Sequence, residues 1–379
     1  MLTAHHALGG GARHARNLAQ GLRACGIRVS LLCTGTHDAN GDADYDEIIA
    51  RQPRSWPLLW RFQPFGSAPF WYRAVRKATA HVDAVIALSA PLAMATHWAL
   101  PNKPLLYAPA MLDKVEHPDA RWSALRWFEK QAFQRAHRVL VTATAVRAAV
   151  KTLYCPLRAP TGVCPLGVDD RHTRRVSRTR ADLGIPSDAK LLLTVGLVNE
   201  NKGQRYIAQA LARCAEPDWW WVLVGRSERE LAVRRELRGS GIASRTLFVG
   251  ADQHVGDWYA AADLFVAASR AETFGQAIAE ALWAGLPVVI PENVLGTVLS
   301  PLAEVVQRYR LGYTFARGNT SSLAGALTAA LGDERQLRAM ALQAAAFARA
   351  NFKWSSYAQC ALRLFESRSD LVYEVVAPR

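Results

Sequence analysis

The chain has 379 residues, 50% hydrophobic and 21% charged, an ordinary globular composition with length enough for two domains with separate cores. No apolar run approaches the length of a membrane span, and Met1-Leu-Thr-Ala-His-His lacks the basic start and apolar core of a secretory signal. A net charge of +14 favours anionic partners such as phosphorylated substrates, acidic lipid or nucleic acid, without choosing among them. The six cysteines (Cys25, Cys33, Cys155, Cys164, Cys214 and Cys360) are scattered without a C-x-x-C pair. That pattern supports neither a metal site nor a disulfide framework, so a reduced, cytoplasmic protein is expected.

Taken in chain order, a helical run over Gly10–Ala24 is followed by short strand-like runs at Ile27–Cys33, Asp83–Leu88, Pro104–Ala108, Arg138–Thr142 and Thr161–Pro165, with helical runs at Trp122–Arg135 and Ala145–Tyr154 between them. The alternation restarts at Lys190, with strands predicted at Leu191–Val195, Trp219–Val224, Thr246–Val249, Asp263–Ala267 and Leu286–Ile290. Strands alternating with helices predict parallel sheets covered on both faces. Residues 169–189 carry Arg171, Arg174, Arg175, Arg178 and Arg180 and read as a polar connector. The expected organisation is therefore a first domain over 1–168, the connector over 169–189, a second domain over 190–352 and a helical tail over 353–379.

The most informative stretch is Glu272-Thr273-Phe274-Gly275-Gln-Ala-Ile-Ala-Glu280. A buried strand ending at Ser269 precedes it, and Gly285-Leu-Pro287-Val288 closes the helix that follows. Glu272 thus falls in the loop at the carboxyl end of a strand and Glu280 on the next helix. In an open α/β sheet, ligands bind at that end, and the free N–H groups of a helix start suit phosphate or sugar oxygens. One carboxylate is placed to accept hydrogen bonds from sugar hydroxyls, the other to take the two hydroxyls of a ribose. Upstream, Val195-Gly196-Leu197 leads through Lys202-Gly203 into another helix, and a lysine there can neutralise a diphosphate leaving group.

The string from Ser269 to Val288 resembles the signature of the retaining, nucleotide-sugar-dependent glycosyltransferases of family 4, also called group 1. Their pattern, S-x-x-E-x-F-G…E-A-x-x-x-G-x-P-V, is met at every element. Gly196, Lys202 and Gly203 match the family's V-G-R-L-x-x-x-K-G; Leu197 stands where the family has an Arg. One of two expected cations is therefore missing, and Arg270 or Arg205 is the candidate to assist Lys202. Gly9-Gly10-Gly-Ala12-Arg13-His14-Ala-Arg-Asn17-Leu18-Ala19 resembles the family's amino-terminal glycine loop, with Ala12 in place of a Glu. The family's first strand precedes this loop, and only Met1–His6 is available for it, so either that strand is very short or the natural start lies upstream; the second is the expectation. Gly225 and Gly250 correspond to strand ends that line the nucleotide base pocket in the family.

The resemblance implies the GT-B fold: α/β, two Rossmann-like domains facing across a cleft, with the C-terminal helix packing back on the first. It also implies transfer of a sugar from a nucleoside diphosphate sugar to a hydroxyl acceptor with retention, in the synthesis of a cell-surface polysaccharide or glycolipid. Glu272 and Lys202 are the expected catalytic residues. Donor contacts are expected from Gly9, Gly10, Gly196, Lys202, Glu272, Thr273, Phe274, Gly275 and Glu280. No acceptor-side base is identifiable, because the strand near Tyr107 carries no His where the family often has one. The alternative is a GT-B scaffold without catalysis, suggested by Leu197 and Ala12.

Two further segments bear on partners. Asp42-Ala-Asp44 is a D-x-D string, but it sits in a Gly/Asn-rich loop far from the donor motifs and reads as a solvated acidic loop; no cofactor and no metal are expected. The segment containing Arg54, Trp56, Trp60, Arg61 and Trp71 interleaves basic and aromatic residues without an acid. It suits a membrane or acceptor contact at headgroup level, at the inner face of the membrane, rather than nucleic acid. Inward packing of the same rings is the competing reading.

Overall fold

The computed structural model describes residues 2–4, 10–33, 47–51, 72–73, 75–76, 82–110, 112, 124–170, 178, 180–214, 218–227, 230–239, 241–293 and 300–377. The chain divides into two units. The first comprises Met1–Gly167 with Lys353–Glu374, and the second Val168–Phe352 with Val375–Arg379.

The first unit is built on strands β1 (Leu2–Ala4), β2 (Ser30–Cys33), β3 (Glu47–Arg51), β4 (Val85–Ala87), β5 (Leu105–Tyr107), β6 (Arg138–Val141) and β7 (Thr161–Val163). With Leu371–Val372 added at one edge, the order is 371–372, β7, β6, β5, β4, β1, β2, β3, and every pairing is parallel. Leu2–Ala4 is a three-residue strand in the interior of this sheet, bonded to β2 and β4. The central strands β4 and β5 are buried along their whole length, which is why they read as continuous apolar runs rather than alternating ones. The helix Trp354–Glu366 packs against the helix Gly10–Ala24, with the His14 ring 5.3 Å from Trp354 and 5.6 Å from Tyr357. The tail is not wholly helical: it ends in the edge strand Leu371–Val372, which the sequence pattern did not suggest.

The second unit holds β8 (Lys190–Val195), β9 (Trp219–Val224), β10 (Thr246–Gly250), β11 (Leu264–Val266), β12 (Val288–Pro291) and β13 (Gly312–Phe315). Their order is β10-β9-β8-β11-β12-β13, again all parallel. Strand order reverses at β8, between β9 and β11, and the crevice outside the carboxyl ends of the strands at such a point is the usual ligand place of the doubly wound fold. At the centre of this sheet, buried polar groups are paired across the strands. Trp221 is fully buried and donates from Nε1 to Thr194 Oγ1 at 3.0 Å, and Thr194 Oγ1 donates to the Val266 carbonyl at 2.7 Å. These bonds tie β9, β8 and β11 together across the centre of the sheet.

Arg178 and Arg180, both in the connector stretch, are bound to this second unit. Arg178 donates to Asp252 Oδ2 and Asp257 Oδ2, each at 2.7 Å, and Asp257 is fully buried. Burial alone would raise the Asp252 carboxyl, but hydrogen bonds from Arg178 and Trp258 outweigh it and bring it down to about 2. Arg180 donates to Asp263 Oδ2 at 2.7 Å, and the same oxygen accepts from the Leu191 backbone at the start of β8.

Candidate functional site

The residues picked out between Gly196 and Glu280 gather at the carboxyl ends of the strands of the second sheet. Gly196 follows β8, Gly225 follows β9 and Gly250 ends β10, so the three glycines lie on neighbouring strands. Gly196 N donates to the Val224 carbonyl at 2.9 Å and Gly225 N to the Gly250 carbonyl at 2.6 Å. Gly225 has no alternative: its φ is +152°, and a Cβ there would stand 1.9 Å from the Gly196 carbonyl oxygen. The sequence therefore places a smooth, side-chain-free backbone surface beside the switch point.

Next to it, the loop after β8 is fastened to the loop after β11. Arg270 N donates to the Asn201 carbonyl at 2.6 Å, Lys202 N donates to Asn199 Oδ1 at 3.0 Å, and Gln204 Nε2 donates to the Leu197 carbonyl at 3.0 Å. These bonds aim Lys202 across the gap between β8 and β11. Its Nζ meets Glu272 Oε1 at 2.6 Å, and Ser269 Oγ donates to the same carboxylate oxygen at 2.7 Å. The pair is accessible: the Lys202 side chain is 31% exposed and that of Glu272 18%.

Gly275, at φ +89°, caps the start of the helix Gln276–Ala284, so the loop after Glu272 turns directly into a helix N-terminus. Thr273 is half-buried at this turn, whereas the Phe274 side chain points inward and meets Phe352 edge to face at 5.7 Å. Only the backbone of Phe274 is left for a ligand. One turn into the helix, Glu280 is 4% exposed and accepts a 3.0 Å hydrogen bond from the Tyr259 hydroxyl at Oε2. A carboxylate buried to that degree on a helix is not a solvated surface residue. Sequence reasoning missed Tyr259, which carries no spacing signal: the helix that bears it, Val255–Ala261, packs onto the Glu280 helix only in the folded unit.

Of the two arginines considered as helpers for Lys202, Arg205 is exposed and stacks over the ring of Tyr206 at 5.4 Å. Arg270 lies in the loop that carries Glu272. A third cation, Arg317, also comes to this end of the sheet and donates from a terminal nitrogen to the Ser269 carbonyl at 2.9 Å.

In the first unit, Gly10 is the first residue of the helix Gly10–Ala24. His14 of the same motif is packed between aromatic rings, and burial brings its imidazole down to about 4. Gly9, the D-x-D string, and Arg54, Trp56, Trp60, Arg61 and Trp71 lie outside the described residues. Among the described residues, no group of three or more His, Cys, Asp or Glu is arranged to hold a metal, and no helix is long and apolar enough to cross a membrane.

Comparison with known proteins bears on the family and the fold. The model of the family described as Glycosyltransferase Family 4 matches residues 8–172, and that described as Glycosyl transferases group 1 matches residues 189–333. The lipopolysaccharide core biosynthesis mannosyltransferase LpsB of Rhizobium meliloti (strain 1021) is 31% identical over 195 residues, 49% of this chain and 54% of that protein. The chain thus spans about half the length of that curated relative. Sucrose-phosphate synthase from Thermosynechococcus elongatus superposes with a TM-score of 0.81 at 22% identity, covering 96% of this chain and 97% of the other. Anabaena HepE in complex with UDP and glucose gives 0.76 at 20% identity, covering 96% and 98%. The two parallel-sheet units are those of the GT-B fold, and the chain belongs to the group 1, family 4 glycosyltransferases.

Proposed function

We propose that the protein transfers a sugar from a nucleoside diphosphate sugar to a hydroxyl acceptor with retention of configuration. The observation that carries this reading is the contact of Lys202 with Glu272 at the β8/β11 switch point, beside a capped helix start and the buried Glu280. A diphosphate next to Lys202 would have its growing negative charge met as the glycosidic bond breaks. Glu272, Thr273 and the Phe274–Gly275 backbone would hold the donor sugar, and Glu280, steadied by Tyr259, would take the ribose. Gly196, Gly225 and Gly250 would give the base and the phosphates their close approach to backbone. Lysine and helix start supply the positive charge at the diphosphate, so the reading calls for no metal.

In the reaction the family resemblance implies, the departing phosphate oxygen takes the proton of the attacking hydroxyl, so the protein's share is positioning and electrostatics. LpsB is named for lipopolysaccharide core biosynthesis, and HepE is solved with UDP and glucose. The second supports a nucleotide-sugar donor, and the first a saccharide or lipid-linked acceptor in cell-surface synthesis.

The test is a screen of UDP-, GDP- and ADP-sugars for slow donor hydrolysis in EDTA, followed by NMR of the anomeric proton in the transferred product. One donor class should be hydrolysed, and Glu272→Gln and Lys202→Ala should each lower the rate by about 10²–10³-fold with unchanged melting. Wild-type rates in both variants would reject the assigned roles. A folded protein that binds none of the donors by calorimetry would favour the non-catalytic scaffold instead.

A further inference from the structure

A second cationic place lies close to the first. Ser269 joins them through its two ends, its hydroxyl donating to Glu272 and its carbonyl accepting from Arg317. The two places differ in how their charge is met. Lys202 rests on a carboxylate, whereas Arg317 rests on a neutral carbonyl, and its Nε is buried with no hydrogen-bond partner among the described residues. Burial first, and the neighbouring Arg270 charge second, bring the Arg317 guanidinium down to about 10. A guanidinium buried in this way against a neutral carbonyl is held at a cost that a bound anion would relieve.

Both arginines line one hollow of about 200 Å³, with Tyr206, Phe315 and Asn319 among the other walls. No acidic side chain is among its described lining residues. The volume is below the roughly 300–1,000 Å³ of ordinary small-molecule pockets, so it suits an ionic head group rather than a nucleoside. Asn319 caps the helix Thr320–Gly332, which turns the positive end of that helix dipole toward the same wall. The arginine pair and the hollow carry the argument, and the helix start adds to it.

We propose that this hollow is an anion site for a phosphate group, free or borne on a saccharide substrate, and that it is separate from the Lys202–Glu272 place. Arg317 is its principal ligand and Arg270 the second. The inference stands on this geometry and does not depend on the transfer reading.

Inorganic phosphate is the first probe, titrated into the full chain and followed by melting temperature and calorimetry. Wild type and Lys202→Ala should bind it alike, while Arg317→Gln should bind about tenfold more weakly or worse. Arg317→Lys should recover part of the loss, and Arg270→Gln, which leaves Arg317 in place, should show a smaller one. A second arm compares glucose 6-phosphate with glucose. Tighter binding of the sugar phosphate than of phosphate assigns the site to a substrate-borne group, and the reverse order assigns it to the free ion. Equal phosphate binding by wild type, Arg317→Gln and Arg270→Gln would overturn the proposal, as would its loss in Lys202→Ala, which would place the ion at the diphosphate position instead.

Discussion

Both units carry parallel sheets with a reversal of strand order and both bury a carboxylate against a tyrosine, yet the second also presents a cation and a carboxylate, paired and partly open, at the ends of its strands. In the first unit, Glu129 is 2% exposed and accepts a hydrogen bond from the buried Tyr154 hydroxyl. Nearby Tyr107 is held well above the usual phenol range, first by burial and then by the charge of Glu129. His14 is enclosed by aromatic rings. These groups face the core and serve packing. In the second unit, Lys202 and Glu272 remain partly open at the carboxyl ends of β8 and β11, oriented by backbone bonds between two loops. Topology offers the same place in both sheets, and the loop residues decide which charged groups are presented there.

The sharpest way to break this contrast is Gly225→Ala. The added methyl would meet the Gly196 carbonyl at 1.9 Å, so the loops after β8 and β9 must separate. Nucleotide binding should fall more than about tenfold, and the second unit should lose several kcal/mol of stability, on the order of 3. Donor calorimetry and a urea titration read both effects; wild-type values in each would mean that the loops can part freely.

His14 sharpens the first-unit side. Its imidazole titrates near 4 in the folded chain against 6.5 for an unperturbed histidine, because burial disfavours the charged form. The unfolded chain therefore binds the proton first. Stability from this residue is complete above pH 6.5 and is lost progressively as pH falls toward 4, by up to about 3 kcal/mol. Denaturation midpoints of His14→Phe should vary less over that window than those of wild type, with donor binding at neutral pH retained.

The smallest effect belongs to Tyr154→Phe, which removes one donor to a buried carboxylate. A loss of about 1–3 kcal/mol is expected in the urea midpoint, with transfer per folded molecule unchanged. Loss of catalysis without loss of stability would contradict the division between a packing role here and a chemical role in the second unit.

Particular elements explain how far the sequence could be read. The helix Gly10–Ala24 and the strand Trp219–Val224 have the observed bounds that the pattern predicted, because each is a sustained apolar period ending in a clear breaker. The strands Glu47–Arg51 and Gly312–Phe315 were missed. The first is short and bounded by a charge at each end; the second is a half-buried edge strand, with too few apolar positions to stand out. Leu371–Val372 is a strand only because β7 offers it a partner. The positions of Glu272, Glu280 and Lys202 were legible because helix and strand periods fix which end of an element a motif occupies.

The sequence alone determined the alternation of strands and helices, the loop and helix placement of the two glutamates, and the absence of an arginine at position 197, since each is a local property of neighbouring residues. Tertiary structure decided that Lys202 meets Glu272 across 70 positions of chain, that Tyr259 holds Glu280, and that Arg317 comes to rest on Ser269 beside Arg270. Such contacts depend on which strands become neighbours, and that order is set by burying whole faces of a sheet rather than by any single stretch of residues.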